Sequence, residues 1–512
     1  MVSTNRLYSN LAVDSPINWD YYNHHKMKGA IFLKISMRNC TIITLVVAAF
    51  FFIFPVPSKA AEGDILVSLT YKEGAAATAV GTGILRAGDL WVPADSMARM
   101  GVTLSDGLKG KGFYVNVANP AEVLGIPALT SLVGGSLPLY FPLLKDNGVS
   151  YFNVTGMEPL TKLSISLRGE SAVLTRTNDD INAVLAARTP KPGVSGKKIM
   201  LVWAHITRFN PDLGAEAKIN ALNVISPTWF NLIDGNGGVA NRASVSYVEA
   251  AHKKGYQVWA LASNGFSSLN TTQMFASKGA VNIYIARLLA YAKLYNLDGI
   301  NIDFEGMAES DNNAFVNFMS VLGPQLSAMG LKSSVDVHVP ANSRTSRSHN
   351  RAGLAKYSDY IMLMAYDEHW RTSKTAGSVA SLPWVERAVQ NTLAEGVPAE
   401  KLILGVPFYM RKWEETTAGG GVKVKSFTLK MAESDSLISS LGLQPVWNEK
   451  TGQYFYSYRA NGKTYKVWAE DGESMAHRIA LVHKYGLPGA AAWSKGHEKP
   501  QIWDVIDKGL NR

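Results

Sequence analysis

The chain has 512 residues, 47% of them hydrophobic, so two or three globular domains with ordinary cores are expected. A single cysteine, Cys40, excludes a disulfide framework, and no His/Cys cluster has the spacing of a metal site, so we expect neither a metal nor a cofactor. The net charge of +10 is compatible with an anionic partner without requiring one. No basic cluster interleaved with aromatic residues indicates nucleic-acid binding.

Residues 37–60 have the organisation of a secretory signal peptide. A basic start at Met37 leads into an apolar run from Cys40 to Phe54, and small residues then predict cleavage after Ala60. We therefore expect a secreted or wall-associated protein.

The uncharged run from Asn39 to Ser58 is also long enough to span a bilayer, which makes an uncleaved membrane anchor the alternative. The first 36 residues are expected to be an upstream extension or the result of a misassigned start, since Met37 begins a cleaner signal peptide. The sequence leaves the true start open among Met1, Met27 and Met37.

Residues 61–189, the N-terminal module, predict a small α+β domain. Ile65–Leu69 alternates as a strand does, and Leu90–Pro93 leads into a helical pattern over Asp95–Met100, with a further strand over Gly112–Val117. This order resembles the copper amine oxidase N-terminal-like module of exported bacterial proteins. The resemblance implies a wall-facing stalk or ligand-binding domain without copper or oxidase chemistry; an unrelated α+β spacer is the alternative.

A Pro/Gly/Ser linker at residues 190–196 then predicts a domain boundary. From residue 197 to 512, eight apolar runs alternate with helical patterns, which predicts an α/β fold, one (β/α)8 TIM barrel. The predicted strands are Ile199–Trp203, Val224–Pro227, Val258–Ala262, Gly299–Phe304, Ser334–Val339, Tyr360–Ala365, Leu402–Pro407 and Gly489–Trp493. Residues from about 413 to 472 exceed a simple βα connection and predict a small β-rich insertion before the last strand.

The fourth predicted strand carries a polar row. Asn301, Asp303 and Glu305 alternate with bulky apolar residues and therefore leave the strand by one face. Close carboxylates push their pKa values apart, so one of them can hold a proton near neutral pH. Glu305, nearest the strand's C-terminal end, is the natural general acid. A surface strand with solvated acids is the alternative.

This stretch resembles the D-G-x-D-x-D-x-E signature of glycoside hydrolase family 18, the chitinase-like enzymes. Asp298, Gly299, Asp303 and Glu305 match it, and Asn301 stands where most chitinases have Asp. Three later segments also resemble family motifs: Met364–Asp367 after the sixth strand, Gly405–Arg411 with Met410 in place of a glycine, and Trp493 on the eighth strand.

The resemblance implies a substrate-assisted mechanism in which the 2-acetamido oxygen of the sugar attacks its own anomeric carbon. Glu305 would protonate the leaving oxygen, Asp303 would stabilise the acetamido group, and Tyr366 would orient it. The other implied substrate-binding residues are Asn301, Met364, Asp367, Tyr409, Arg411 and Trp493. For Tyr409 and Arg411 the alternatives are packing at the barrel rim and a surface charge, respectively. Asp298 and Gly299 are expected to be structural.

Several further residues have two interpretations each. Trp229, Asn264 and Trp370 follow strand ends and either line the sugar groove or serve as ordinary packing and capping residues. Glu368 and His369 are expected to be hydrogen-bonding scaffold. His205 and His338 are expected in the core or behind the substrate-contacting residues.

The resemblance thus implies a glycosidase acting on β-1,4-linked N-acetylglucosamine. The Asn301 variant is similar to the spore-cortex branch, which favours peptidoglycan as substrate and gives the N-terminal module a role in wall binding. A chitinase or chito-oligosaccharide hydrolase is one alternative, and a catalytically silent carbohydrate-binding wall protein is another. We expect a monomer.

Overall fold

The computed structural model describes residues 64–107, 110–193, 196–418 and 421–511. The predicted signal peptide or anchor at residues 37–60 lies outside these ranges. In the described ranges, no helix is both long and apolar enough to cross a membrane.

The N-terminal module is built on a nine-stranded sheet. Its strands are β1 (Ile65–Glu73), β2 (Ala76–Arg86), β3 (Asp89–Pro93), β4 (Ser105–Gly107), β5 (Gly112–Ala118), β6 (Ser136–Asp146), β7 (Val149–Asn153), β8 (Leu163–Arg168) and β9 (Ser171–Arg176). Their order across the sheet is β4-β5-β6-β7-β3-β2-β1-β9-β8. Its short helices are α1 (Ala94–Arg99), α2 (Pro120–Val123), α3 (Ala128–Val133), α4 (Glu158–Thr161) and α5 (Ile181–Ala186).

The second part of the chain contains a closed parallel barrel and an inserted sheet. Its strands are β10 (Ile199–Ala204), β11 (Val224–Leu232), β12 (Val239–Asn241), β13 (Gln257–Ser263), β14 (Gly299–Asp303), β15 (Lys332–His338), β16 (Tyr360–Met364), β17 (Leu402–Pro407), β18 (Tyr409–Ala418), β19 (Gly421–Lys430), β20 (Val446–Asn448), β21 (Gln453–Ala460), β22 (Lys463–Trp468) and β23 (Gly489–Trp493). β10, β11, β13 to β17 and β23 pair in parallel, and contacts of β10 with both β11 and β23 close the ring. The predicted (β/α)8 barrel is therefore confirmed.

The helices of this part are α6 (Val245–Lys253), α7 (Ser268–Phe275), α8 (Lys278–Leu294), α9 (Asn312–Ala328), α10 (Arg344–Arg347), α11 (Arg351–Ala355), α12 (Leu382–Ala394), α13 (Met431–Leu441), α14 (Gly472–Lys484) and α15 (Ile502–Leu510). Most of them surround the barrel. Helix α8 is apolar on almost every side because it packs on the barrel with one face and contacts the N-terminal module with another.

The insertion is a five-stranded sheet of β18 to β22 that also carries α13. It begins at Tyr409, directly after β17, and its last strand ends at Trp468. Its first strand therefore includes Tyr409 and Arg411, which brings both residues to the open end of the barrel.

Strand ends differ slightly from those predicted. β14 ends at Asp303 rather than Phe304, so Glu305 lies beyond the last ladder pairing. This matters for the site because a residue past the strand end can turn toward the barrel mouth, where catalytic groups of such barrels gather.

Candidate active site

The polar row predicted on β14 continues past the end of the strand toward the barrel mouth. β15 runs parallel beside it, with Asn301 opposite Ser334. Because side chains two apart share a face, each strand presents a polar row to the barrel interior, and the two rows are adjacent. The rows consist of Asn301, Asp303 and Glu305 on one side and Ser334, Asp336 and His338 on the other.

Asn301 forms the floor of this group and is fully buried. Its Oδ1 accepts hydrogen bonds from Trp203 Nε1 at 2.9 Å and Ser226 Oγ at 3.3 Å. Its Nδ2 donates to Ser334 Oγ at 3.0 Å and to Asp336 Oδ1 at 2.7 Å. These four hydrogen bonds fix the orientation of the Asn301 amide and use its hydrogen-bonding capacity. Asn301 is therefore connected to the acid group through its hydrogen bond to Asp336. The direct contact of Asn301 with substrate stays a prediction.

Three carboxyl groups, those of Asp303, Glu305 and Asp336, interact at this point. Asp303 is buried, and among the described residues its Oδ1 has no hydrogen-bond partner. Burial, followed by the charges of Glu305 and Asp336, raises the pKa of Asp303 well above its usual value. Burial also raises the pKa of Asp336, against the opposing effect of the Asn301 hydrogen bond. Like charges this close oppose one another's ionisation, so Asp303 and Asp336 titrate as a coupled group.

Glu305 is the member of this group that reaches the opening, with 27% of its side chain exposed. Asn264 holds its backbone from both sides. Asn264 Oδ1 accepts from Glu305 N at 3.1 Å, and Nδ2 donates to Glu305 O at 2.7 Å. Since Asn264 is fully buried, its role is to position the acid, and it does not line the groove.

His338 faces Glu305 from β15. Its Nε2 lies 3.1 Å from Glu305 Oε2, within ion-pair distance but without hydrogen-bond geometry. His349 stands behind it, with ring centres 5.3 Å apart, and donates from Nε2 to Phe304 O at 3.0 Å. Burial, followed by the charge of His338, lowers the pKa of His349 to about 3. The His349 imidazole is therefore neutral at physiological pH.

Aromatic side chains form the wall opposite the acids. Tyr366 is half-buried, and its ring meets Trp203 and Tyr409 edge-on at 6.5 and 6.3 Å. Burial, followed by nearby Asp336 and other groups, raises the pKa of Tyr366 well above its usual value, so its hydroxyl remains a donor. Trp493 is half-buried and packs against Trp203 and His205 at 6.3 and 6.1 Å.

A second polar group adjoins Tyr366. Asp367 has a left-handed backbone (φ 61°), a strained conformation for a residue other than glycine. Its Oδ1 accepts from the Tyr409 hydroxyl at 2.5 Å and lies 3.4 Å from an Arg411 guanidinium nitrogen. Met364 is buried at the end of β16. The structure thus brings Met364, Asp367, Tyr409 and Arg411 together beside Tyr366, and their contacts with substrate remain predictions.

Asp298 and Gly299 lie at the opposite end of β14. Asp298 Oδ2 accepts from Val258 N and from His252 Nε2, both at 2.8 Å. A Cβ on Gly299 would lie 2.7 Å from Lys332 O and 2.9 Å from the Trp259 ring, which is too close for any larger residue. These contacts support structural roles for both residues.

The structure separates core and scaffold residues from exposed ones among those that the sequence left open. Trp229 is fully buried and donates from Nε1 to Asn210 Oδ1 at 2.6 Å, so it belongs to the core and not to the groove. Trp370 has 51% of its surface exposed. Glu368 accepts from Ser381 N at 2.8 Å, and His369 Nδ1 lies 2.8 Å from Ser378 O, as expected for scaffold.

Sequence reasoning missed Asp336 as a member of the acid group. His338, expected in the core or behind the substrate-contacting residues, lies with Nε2 3.1 Å from Glu305 Oε2. Both residues lie within the predicted strand Ser334–Val339, and their same-face spacing was the available signal. What the sequence lacked was the register that sets this row beside Asn301.

Taken together, the mouth of the barrel holds one accessible carboxyl group, that of Glu305, beside the buried carboxyl group of Asp303, whose pKa is raised. The Tyr366 side chain lies near them, and Trp493 offers an apolar ring. Such a site can donate a proton to a leaving group and recover one from water. No second accessible carboxylate emerges from the described contacts as a nucleophile facing Glu305, which a two-carboxylate glycosidase would need.

The profile of the family described as "Glycosyl hydrolases family 18" matches residues 234–498 of this chain. The match includes the acid group and the later motifs, and it does not reach the N-terminal module. The resemblance of that module to the copper amine oxidase N-terminal-like domain stays a prediction.

Individual proteins show the same relationship. The chain is 28% identical to the uncharacterized glycosylase YvbX of Bacillus subtilis (strain 168), over 56% of this chain and 85% of that protein. It is 22% identical to the cortical fragment-lytic enzyme of Bacillus anthracis, over 48% and 57% respectively. The crystal structure of a chitinase from Chromobacterium violaceum ATCC 12472 superposes with a TM-score of 0.56 at 25% identity, covering 62% of this chain and 99% of that one.

Proposed function

This chain belongs to glycosyl hydrolase family 18 and is a glycosidase, and from this premise we propose that it cleaves β-1,4-linked N-acetylglucosamine polymers by a retaining, substrate-assisted mechanism. The observation that carries the proposal is the pairing of Glu305 with Asp303. Glu305 is accessible at the mouth, whereas Asp303 is buried beside it with a raised pKa. Such a pair divides the acid and electrostatic roles between two carboxyl groups in different environments.

In the first step the acetamido carbonyl oxygen of the bound sugar forms a bond to the anomeric carbon. The glycosidic C–O bond breaks, and the Glu305 proton passes to the leaving oxygen. The product is an oxazolinium ion whose positive charge Asp303 stabilises. In the second step water attacks the anomeric carbon, the bond from that carbon to the acetamido oxygen breaks, and a water proton passes to Glu305. The acetamido group is thereby regenerated, and the two inversions leave the configuration at that carbon retained.

Positioning is the task of the surrounding residues. Tyr366 would donate a hydrogen bond to the acetamido oxygen and hold it in line for attack. Trp493 would pack against the apolar face of the sugar ring. Asn264 fixes the backbone of Glu305 through two hydrogen bonds. The hydrogen bond from Asn301 holds the carboxyl group of Asp336 beside Asp303.

Position 301 is Asn in this chain, and Asp336 lies where it can supply the missing carboxyl group. Family resemblance implies a carboxylate at position 301 that shares a proton with the middle acid. Here the side chain of Asn301 holds the Asp336 carboxylate at 2.7 Å instead. We infer that Asp336 supplies the third carboxyl group from the neighbouring strand, so Asn301 does not leave the site one acid short.

Peptidoglycan, including spore cortex, is the substrate we favour. Support comes from the similarity to a cortical fragment-lytic enzyme and from the predicted exported, wall-facing N-terminal module. Chitin and chito-oligosaccharides are the alternative, supported by the similarity to a chitinase. Retention of Glu305, Asp303 and Tyr366 argues against a silent carbohydrate-binding protein.

The decisive experiment is product analysis with the protein beginning at Ala61, which keeps every described residue. Purified peptidoglycan and chitin oligomers are each treated with the parent protein and with Glu305→Gln, and the products are compared. The glutamine keeps the shape of Glu305 but cannot donate the proton, so the rate should fall about 10²–10⁴-fold. Fragments ending in reducing N-acetylglucosamine from peptidoglycan alone would support the favoured substrate. Cleavage of chitin oligomers alone would move the assignment to chitinase, and binding without cleavage by both proteins would refute the mechanism.

Export is part of the same proposal. Mass spectrometry of the protein recovered from culture medium, wall and membrane fractions should find an N-terminus at Ala61. Recovery only in the membrane fraction with residues 37–60 intact would favour the anchor.

A further inference from the structure

A cavity of about 780 Å³ lies between the N-terminal module and the barrel, away from Glu305. The loop after β10 forms its barrel side, and residues near β3 and β6 form its module side. Charged side chains of mostly one sign line it: Arg86, Lys111, Lys145, Arg208 and Arg242, with Asp89 as the acid.

Most of these cations have no acidic partner within the part of the chain that the structure describes. Arg86 is paired with Asp64, 2.6 Å from Nε to Oδ1. Among the described residues, no ion pair involves Lys111, Lys145, Arg208 or Arg242, although burial lowers the pKa of the Arg242 guanidinium. Asp89 is buried in the wall, and burial raises the pKa of its carboxyl to about 6. Among the described residues the cavity therefore has an excess of positive charge, which favours an anion. Lys111, Lys145 and Arg208 are exposed, and Arg242 is half-buried.

Phe209 gives the cationic wall a defined geometry. The guanidinium carbon of Arg86 lies 4.3 Å from the centre of the Phe209 ring, and that of Arg208 lies 4.9 Å from it. Trp91 of the module meets the same ring edge-on at 6.5 Å. Stacking restricts the two guanidinium planes while leaving the N–H groups of Arg208 available to a ligand.

The cavity is within reach of the catalytic mouth. His205, immediately after β10, packs against Trp493 at 6.1 Å, and Phe209 follows four residues later. Four residues of chain span at most about 14 Å. A polymer whose sugar lies on Trp493 can therefore extend a side branch to this cavity.

We propose that this cavity binds carboxylate groups on the peptide branches of the substrate polymer and so selects peptidoglycan over uncharged chitin. The inference rests on the proposed function of the barrel. Arginine binds carboxylates through paired, charge-assisted hydrogen bonds, and a neutral N-acetylglucosamine polymer has no group that would use them. Phosphate-containing wall polymers share the negative charge, and the experiment separates the two sources.

The test compares the parent protein with Arg208→Ala/Arg242→Ala. Arg459→Ala/Lys508→Ala, which removes two exposed cations from the insertion and α15, is the matched control. Three substrates are used: peptidoglycan with free carboxylates, the same material with carboxylates converted to methylamides, and chitin oligomers. We expect Arg208→Ala/Arg242→Ala to lower kcat/KM about tenfold or more on peptidoglycan with free carboxylates, mainly by raising KM. On the other two substrates, both variant pairs should match the parent.

Two outcomes would overturn the inference. One is an unchanged kcat/KM for Arg208→Ala/Arg242→Ala on peptidoglycan while the parent cleaves it. The other is loss of binding to a glycerol-phosphate polymer but not to peptidoglycan, which would make phosphate the ligand. Isothermal titration calorimetry of a purified muropeptide compares Glu305→Gln with the same protein carrying Arg208→Ala/Arg242→Ala. This measurement tests binding in the cavity even if no substrate is cleaved. Failure of the glycosidase assignment is thereby distinguished from failure of the cavity assignment.

Discussion

At the scale of single residues, the site depends on how three carboxyl groups share protons. Asp336 occupies a position on β15 that the sequence pattern alone did not connect with Asp303. Its contact with Asn301 at 2.7 Å joins the two strands at the base of the acid group. The charge state of the site therefore belongs to the group and not to one residue.

Replacing Asp336 with Asn should reveal this sharing. The substitution keeps an acceptor for Asn301 and removes one negative charge. Because the Asp336 charge helps to raise the pKa of Asp303, that pKa should fall. The alkaline limb of the kcat/KM profile should then move to lower pH by about one unit.

The double change Asn301→Asp with Asp336→Asn returns a carboxyl group to the same place and should restore the parent profile. Asp435→Asn, which removes an exposed acid on α13, should leave the profile unchanged. An unaltered alkaline limb in Asp336→Asn would show that Asp336 has no part in the proton sharing.

Tyr366 supports a separate prediction, since its hydroxyl would act on the substrate and not on the acids. Tyr366→Phe keeps the ring contacts with Trp203 and Tyr409 and removes only the donor. We expect kcat to fall about 10²–10³-fold, as for loss of one donor aimed at developing charge, with the pH profile unchanged. A change confined to KM would instead make Tyr366 a ground-state binding residue.

At the scale of elements, the sequence predicted the barrel well because its strands are buried on both faces and read as apolar runs between helices. Asn301, Asp303 and Glu305 were found because they alternate within one strand. Asp336, His338 and Asn264 act through a neighbouring strand or loop, and such contacts depend on register and chain folding that no local pattern contains. The left-handed backbone of Asp367 was unpredictable for the same reason.

The start of β14 supports a stability prediction. Asp298 accepts hydrogen bonds from the backbone of β13 and from His252 of α6, and all of these groups are buried. Asp298→Ala would leave a buried N–H and imidazole without a partner, so the free energy of unfolding should fall by about 2–4 kcal/mol in urea titrations. Asp298→Asn, which keeps an acceptor, should lose less. A large loss of kcat without loss of stability would contradict a structural role.

At the scale of the whole molecule, the N-terminal module is packed directly on the barrel. Arg287 of α8 donates from Nε to Pro138 O of β6 at 3.1 Å. Arg188, near the end of the module, donates from Nη1 to Leu294 O of α8 at 2.6 Å and, within the module, from Nη2 to Gly156 O at 2.9 Å. The apolar character of α8 on nearly all sides follows from this double packing. Substrate selection by the cavity would therefore depend on an intact module–barrel contact.

Tyr291 tests that contact. Its hydroxyl accepts from Tyr140 N at 2.8 Å and donates to Tyr140 O at 2.9 Å, joining α8 to β6 inside the interface. Tyr291→Phe would leave both backbone groups of Tyr140 buried without these partners and should destabilise the protein by about 1–3 kcal/mol. We expect calorimetry to show one transition for module and barrel together, at a lower Tm in the variant.

The same helix provides a matched control for this prediction. Tyr284 is equally buried, but its hydroxyl has no hydrogen-bond partner among the described residues. Tyr284→Phe therefore removes an unsatisfied buried hydroxyl and should leave Tm unchanged or raise it. Equal Tm losses in the two variants would mean that the Tyr291–Tyr140 bonds contribute nothing specific. Two separate transitions in the parent would show that the module folds independently, and the cavity between module and barrel would then open without unfolding of the barrel.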